Sequence, residues 1–238
     1  MLKGYGTGRL RLRVPVLALL AVAIAGFGPP HPSRAARSEL SGASQWSTRV
    51  VYQPHMVFFS HEAGLSTIID PQMFVSAPGT PAGTGPQGIV HVANFTPAPA
   101  ADPPATVLYN ADGQDLGLTL GEWEAAQGRG MLRCGGDGAT AVSHFQHLVP
   151  RGVYSLFVVH FAVQGSGRFT PLGAADGSNN SFVANPAGQG HERSLVTPCL
   201  TSGSEGVVLV WHSDDQTHGA SLGSPGVTSH NQLIFRVP

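Results

Sequence analysis

Turn-forming residues interrupt this sequence so often that long helices have little room. Its 238 residues include 31 glycines and 19 prolines, the two residue types that destabilise a helix interior most. From Trp46 onward, short apolar runs alternate with clusters of Gly, Pro, Asn and Asp, which is typical of strands joined by turns. We therefore predict an all-β fold over residues 46–238, an antiparallel β-sandwich or jelly-roll-like single domain with long loops.

Several segments indicate particular elements of this fold. Thr140–Leu148 and Val153–Val163 flank a Pro-Arg-Gly turn, which predicts a β-hairpin. The C-terminal part of the second arm is apolar on both faces apart from His160, so we expect a central strand covered on both sides. The apolar run Met56–Phe59 is also expected to form a strand, and Glu122–Gln127 a single helical turn.

The N-terminus has the parts of a secretory signal peptide. Ala23-Ile24-Ala25 offers the small-x-small cleavage pattern at the end of the apolar run Val14–Ala25. That run is shorter than the roughly 20 residues needed to cross a bilayer, which disfavours the alternative of an uncleaved membrane anchor. We predict a signal peptide over residues 1–25, a flexible Pro/Ala/Ser-rich lead-in over residues 26–45, and a secreted, periplasmic or extracellular protein without a transmembrane segment once mature. The basic residues before the run are Lys3, Arg9, Arg11 and Arg13.

Charge narrows the choice of partner. From Gly26 onward the chain has 9 basic and 14 acidic side chains, a formal net charge of −5 with histidine neutral, and no lysine. Nucleic-acid binding depends on Lys and Arg that neutralise phosphates, so we expect no nucleic-acid partner. An anionic membrane surface is disfavoured for the same reason. The remaining candidates are a small ligand, a glycan or a protein surface.

The two cysteines, Cys134 and Cys199, are predicted to form a disulfide. Export would place them in an oxidising compartment, where paired cysteines are the rule. The alternative is two separate buried thiols, the commoner state in reducing compartments.

Histidine is the feature that most suggests chemistry, because ten of the 11 histidines lie between His55 and His230. His212 ends one predicted strand, His230 begins the last, and His218 lies in the connection of about 17 residues between them. If the two strands are antiparallel neighbours, these imidazoles lie at one end of the sheet. With Asp214 they form a candidate site for Zn²⁺ or Cu²⁺. His160 would join only if it reached the same end. The alternative is that these histidines are core or rim residues held by hydrogen bonds.

Other chemistries find less support in the residues. A blue-copper centre needs a cysteine with a histidine a few residues downstream, and neither Cys134 nor Cys199 has one. No Gly-x-Ser-x-Gly motif lies at a strand-to-helix turn. We therefore expect a non-enzymatic module that binds a ligand or a partner. The alternatives are a metal-binding protein or metal-dependent enzyme that uses the histidine cluster, and a hydrolase whose site is assembled from dispersed residues.

Overall fold

The computed structural model of the chain describes residues 45–136, 138–161 and 168–238. The predicted signal peptide and all but the last residue of the predicted lead-in lie outside these ranges. Fifteen strands and two short helices occur within them. No helix in the described ranges is both long enough and apolar enough to span a bilayer.

The elements are defined by the following bounds. The helices are α1 (His55–Glu62) and α2 (Leu120–Glu124). In chain order the strands are β1 (Trp46–Pro54), β2 (Ile69–Ser76), β3 (Gly83–Thr84), β4 (Val90–His91), β5 (Phe95–Pro99), β6 (Val107–Tyr109), β7 (Asp115–Thr119), β8 (Gln127–Gly135), β9 (Gly138–Gln146), β10 (Val153–His160), β11 (Arg168–Pro171), β12 (Ser181–Val183), β13 (Gly190–Val196), β14 (Glu205–His212) and β15 (Ser229–Arg236).

The strands form two main antiparallel sheets and one short ladder. The larger sheet has the order β11-β10-β14-β15-β1-β8-β9-β13, and β12 pairs with β10 beside β11. The smaller sheet has the order β5-β2-β6-β7, and β3 pairs with β4. The predicted all-β, sandwich-like single domain is therefore confirmed.

Apolar side chains pack on both faces of the centre of the larger sheet. On one face, Leu209 and Leu233 belong to the same core cluster as Met73 and Leu108 of the smaller sheet. On the other face, Phe58 of α1 and three other partly buried side chains pack against a second cluster, which is formed by Phe157, Val159, Val208, Val210 and Ile234. The expectation that the strand after the Pro-Arg-Gly turn is central and covered on both sides is therefore confirmed for β10.

The predicted hairpin between the two arms around that turn is wrong. β9 pairs with β8 and β13, whereas β10 pairs with β11, β12 and β14. Burial explains the difference, because β9 alternates between buried and more exposed residues while seven of the eight residues of β10 are buried. A strand apolar on both faces is most stable beside another such strand, and β14 is that partner.

Of the two helices, α1 replaces a predicted strand and α2 overlaps the predicted helical turn. The strand expected at Met56–Phe59 is wrong, because this run forms α1, which packs on the sheet through Phe58 with ring centroids 5.4 Å from Phe161. An apolar run of four residues does not by itself distinguish helix from strand. α2 overlaps the predicted helical turn and begins two residues earlier, at a capping box in which Thr119 and Glu122 satisfy each other's backbone N–H groups.

The predicted disulfide between Cys134 and Cys199 is present, with the two Cα atoms 5.6 Å apart. The bond fastens the end of β8 to the segment between β13 and β14, across a sequence separation of 65 residues.

Removing this cross-link is expected to lower the free energy of unfolding. Closing a loop of this length lowers the conformational entropy of the unfolded chain. In the chain-entropy model this raises the free energy of unfolding by about 4 kcal/mol. Urea denaturation of a Cys134→Ala/Cys199→Ala variant, followed by tryptophan fluorescence, measures the loss. The wild-type protein with its disulfide reduced is the control and should resemble the variant. A loss smaller than about 1 kcal/mol would contradict the expectation.

Candidate metal centre

The end of the sheet formed by β14 and β15 brings the predicted residues together only in part. These strands are antiparallel neighbours, as the prediction required. However, His230 lies opposite Trp211, and His212 lies opposite Ser229. Directly opposite residues share a face of the sheet and successive residues alternate, so His212 and His230 are on opposite faces.

His230 is engaged in other contacts. Its Nδ1 lies 3.0 Å from the Gln72 carbonyl oxygen, and its Nε2 lies 3.1 Å from the Ser213 hydroxyl oxygen. Its ring packs beside Trp211, with centroids 5.3 Å apart. The structure therefore does not place His230 among the candidate metal ligands. The residue that shares its face is Trp211, and both of its ring nitrogens have polar partners.

His212, Asp214 and His218 do form a group. Each offers one potential ligand atom, and these atoms lie within 4.8 Å of one another. Nε2 of His218 is 3.2 Å from Oδ2 of Asp214, and the rings of the two histidines are 5.1 Å apart between centroids. The connection between β14 and β15 thus folds back so that His218 meets the end of β14.

The local backbone supports this return. The segment turns sharply after His212, where the amide of Asp215 donates to the His212 carbonyl and Asp215 itself has a positive φ of 57°. The Ser213 amide donates to the Thr228 carbonyl at 2.9 Å, which ties the two ends of the connection together. Asp214 and His218 are therefore carried on a loop whose base is fixed by backbone hydrogen bonds.

Two buried imidazole nitrogens in this group make no hydrogen bond of regular geometry, His212 Nδ1 and His218 Nε2. His218 Nε2 has the Asp214 carboxylate 3.2 Å away, so His212 Nδ1 is the nitrogen without a polar partner. The other nitrogen of His212, Nε2, lies 2.9 Å from the Ser155 hydroxyl oxygen. When Nε2–H donates to that oxygen, Nδ1 carries a lone pair, which is the form in which histidine binds metals. An unpaired buried polar atom such as His212 Nδ1 costs free energy, and a metal ion bound by both imidazoles would satisfy it.

Electrostatics keep His212 neutral. Its side chain is fully buried, and burial, helped by the neighbouring His218, lowers its pKa from 6.5 to about 4, against the opposing effect of Asp214. A neutral imidazole is the state that a metal requires, since the coordinating nitrogen must not carry a proton.

The group is somewhat wider than a coordination sphere. Metal–ligand bonds near 2.1 Å in a tetrahedral arrangement place ligand atoms about 3.4 Å apart. The atoms furthest apart would therefore have to approach by up to about 1.4 Å on binding, whereas His218 Nε2 and Asp214 Oδ2, 3.2 Å apart, already have this spacing. Asp214 and His218 are on the loop and their side chains are 29% and 26% exposed, so they are the ligands with room to move. Three protein ligands leave a fourth position open.

Ser155 was not found from the sequence. It lies on β10 opposite Val210, so its face of the sheet also carries His212 two residues further along β14. Only the pairing of β10 with β14 reveals this neighbour, because the two residues are 57 positions apart. His160 lies at the far end of β10, opposite Glu205, and its Nδ1 is 2.7 Å from that carboxylate. It therefore does not reach the group.

Several other histidines have structural surroundings. His91 Nδ1 lies 3.1 Å from the Val92 carbonyl oxygen. His55 is buried at the start of α1, where its Nε2 is 3.4 Å from the Asn231 amide nitrogen. The alternative explanation of histidines as core or rim residues therefore applies to these, and to His160 and His230.

Comparisons of the chain with protein-family models, with curated proteins and with solved structures give no match.

Replacing Ser155 is expected to weaken metal binding without removing a ligand. The hydroxyl orients the His212 ring, and loss of such a partner typically lowers metal affinity 10- to 100-fold. A competition titration of zinc against a chromophoric chelator measures the dissociation constant of the Ser155→Ala variant. Ser155→Thr keeps the hydroxyl and is the matched control. Equal zinc affinity in wild type and Ser155→Ala would show that the hydroxyl plays no part.

Acid is expected to destabilise the fold through His55. Burial lowers the pKa of His55 from 6.5 to about 4, so the unfolded chain binds the extra proton first. Its contribution is complete above pH 6.5 and is lost as the pH falls towards 4. Replacing His55 with Gln should reduce the fall in unfolding free energy between pH 7 and 4.5 by about 2.5 kcal/mol.

The measurement is urea denaturation at several pH values. Buried Asp70 has a pKa raised to about 6, chiefly by burial, and acts with the opposite sign, so the comparison is made between variants in which Asp70 is unchanged. The exposed His61 on the same helix supplies the control variant, His61→Gln. Parallel pH profiles for His55→Gln and the wild type would refute the assignment.

Proposed function

We propose that this chain is an exported β-sandwich protein that binds one zinc or copper ion through His212, Asp214 and His218. The observation that carries the proposal is the buried, unpartnered Nδ1 of His212 in a group that also contains a second imidazole and a carboxylate, with potential ligand atoms within 4.8 Å of one another. Imidazole suits both metals, and a mixed nitrogen and oxygen set is common for zinc.

His212 lies at the end of strand β14, whereas Asp214 and His218 lie on the loop that follows it. A site of this kind is held in place by the sheet and closed by the loop, so metal binding and loop position are coupled. The Ser155 contact completes the arrangement by fixing the ring of the strand ligand.

Export is supported by the sequence of the N-terminus and by the disulfide. The signal-peptide pattern over residues 1–25 predicts secretion. The Cys134–Cys199 bond is of a kind that persists in oxidising compartments and is rare in the cytosol of most organisms.

The proposed role is binding rather than catalysis, with the metal as the ligand. The open fourth position favours a second candidate, a metal-dependent hydrolase, because a water molecule bound there could be activated. That candidate additionally requires a substrate pocket beside the metal.

The first experiment is elemental analysis of the mature protein purified without a histidine tag and then incubated with zinc or copper. We expect about one equivalent of bound metal, because one set of three ligands comes together within the described part of the chain. An Asp214→Asn/His218→Ala variant should lose it. Both side chains are partly exposed and on a loop, so the variant is expected to fold, which circular dichroism checks.

A His61→Ala/His147→Asn variant is the matched control, since both histidines are exposed and outside the group. Asn is chosen at position 147 because the backbone there has a positive φ of 55°. Absence of metal from the wild type after incubation with either ion would overturn the proposal, as would equal metal content in the two variants.

A further inference from the structure

The outward face of the four strands β1, β8, β9 and β13 concentrates arginine. The described residues contain seven arginines, and four of them are exposed on this face. We call these four the arginine diamond: Arg49, Arg129, Arg133 and Arg193.

Strand register gives the shape of the diamond. Arg49 lies opposite Met131, Met131 opposite Val142, and Val142 opposite Arg193, so these four residues form one row across the sheet. Arg129 and Arg133 lie on β8, two residues before and two residues after Met131. With strands about 4.8 Å apart and a rise of about 3.4 Å per residue, opposite corners of the diamond are about 14 Å apart at the backbone.

Among the described residues, no carboxylate forms an ion pair with the arginines of this face. The other outward residues of the three rows are neither acidic nor lysine: Ser47, Val51, Met131, Thr140, Val142, His144, His191 and Leu195. The ion pairs found in the described residues join His160 to Glu205, His218 to Asp214 and Arg236 to Glu62, so none involves the diamond. A face with a formal charge of +4 thus lies on a chain that is acidic as a whole.

The middle of the diamond is apolar and slightly concave. A depression of about 480 Å³ extends from this middle across β9 to β13, and of the four arginines it includes Arg133 and Arg193. Its lining consists of Met131, Arg133, Thr140, Val142, His191 and Arg193. Val51 and Leu195, which lie at the ends of the two outer rows of this face, are 77% and 67% exposed. The surface therefore offers an apolar floor with guanidinium groups around it.

This combination selects the chemistry of a ligand. The arginine fork matches carboxylate and sulfate groups with two parallel hydrogen bonds. Corners about 14 Å apart are too distant for one oxyanion to bridge, so the ligand must carry several anionic groups and lie flat on the sheet.

The composition of the face argues against a single-stranded nucleic acid as the ligand. Single-stranded nucleic acids are bound by stacking their bases on aromatic side chains, and the outward positions of these rows carry no Phe, Tyr or Trp.

We propose that the arginine diamond binds an acidic polysaccharide that carries carboxylate or sulfate groups. The guanidinium groups pair with the anions, while the C–H faces of the sugar rings pack on Met131 and Val142. The binding surface is separate from the His212 group and does not depend on it.

The test is a binding titration of the full mature chain with polygalacturonate, dextran sulfate and neutral dextran. Wild type should bind one or both acidic polymers and not neutral dextran, with affinity falling as sodium chloride rises from about 50 to 200 mM. Arg133→Gln/Arg193→Gln should weaken binding at least tenfold and reduce the salt dependence. Arg151→Gln/Arg168→Gln makes the same charge change at exposed positions away from this face and should stay within twofold of wild type.

The polymers identify the anionic group. Binding of polygalacturonate alone assigns carboxylate, binding of dextran sulfate alone assigns sulfate, and each supports the proposal. Three outcomes overturn it: no binding of either acidic polymer at low salt, equal weakening in the two double variants, or equally tight binding of single-stranded DNA. All substituted side chains are exposed, so thermal unfolding should be unchanged and a folding defect would be recognised.

Discussion

The structure depends on the burial of β10, β14 and β15 from both sides. Nearly every residue of these three neighbouring strands is buried, because the smaller sheet covers one face and α1, with Phe161, Phe169 and Leu222, covers the other. Strands buried on both faces have little freedom to shift in register, since a shift by one residue would exchange the two sets of side chains. The ends of these strands are therefore fixed positions, and His212 occupies one of them.

Register at this end of the sheet determines which histidine can reach the loop. His230 lies opposite Trp211, the residue before His212, and therefore shares the face of Trp211. His212 lies on the other face of the sheet, together with Ser155. Both imidazoles are buried and have a pKa lowered to about 4, chiefly by burial, so electrostatics alone would not distinguish them. They differ in their partners: both nitrogens of His230 have polar contacts, whereas His212 keeps one nitrogen unpartnered.

Sequence patterns predicted what depends on composition and on contacts close along the chain. The all-β class follows from frequent turn residues, and the central position of β10 follows from its apolar residues on both faces. The pairing of Cys134 with Cys199 follows from there being two cysteines. The wrong hairpin, the helix α1 and the contact with Ser155 depend on which distant strand lies alongside. The face of His230 depends on the register between β14 and β15, which shifts between Leu209 and Val210. Neighbours such as Ser155 and His212, 57 residues apart, leave no local pattern, so periodicity could not supply them.

The arginine diamond illustrates the same limit and adds an electrostatic argument. Alternation along β8 places Arg129, Met131 and Arg133 on one face, but only the order β1-β8-β9-β13 adds Arg49 and Arg193 to them. Net charge therefore conceals this face, because it averages four clustered arginines with acidic side chains elsewhere on the chain. At physiological salt the Debye length is about 8 Å, so a ligand on this face responds to the four guanidinium groups more than to distant carboxylates. The proposed binding of an acidic polymer by this acidic protein therefore depends on four of its few arginines sharing one face of a sheet.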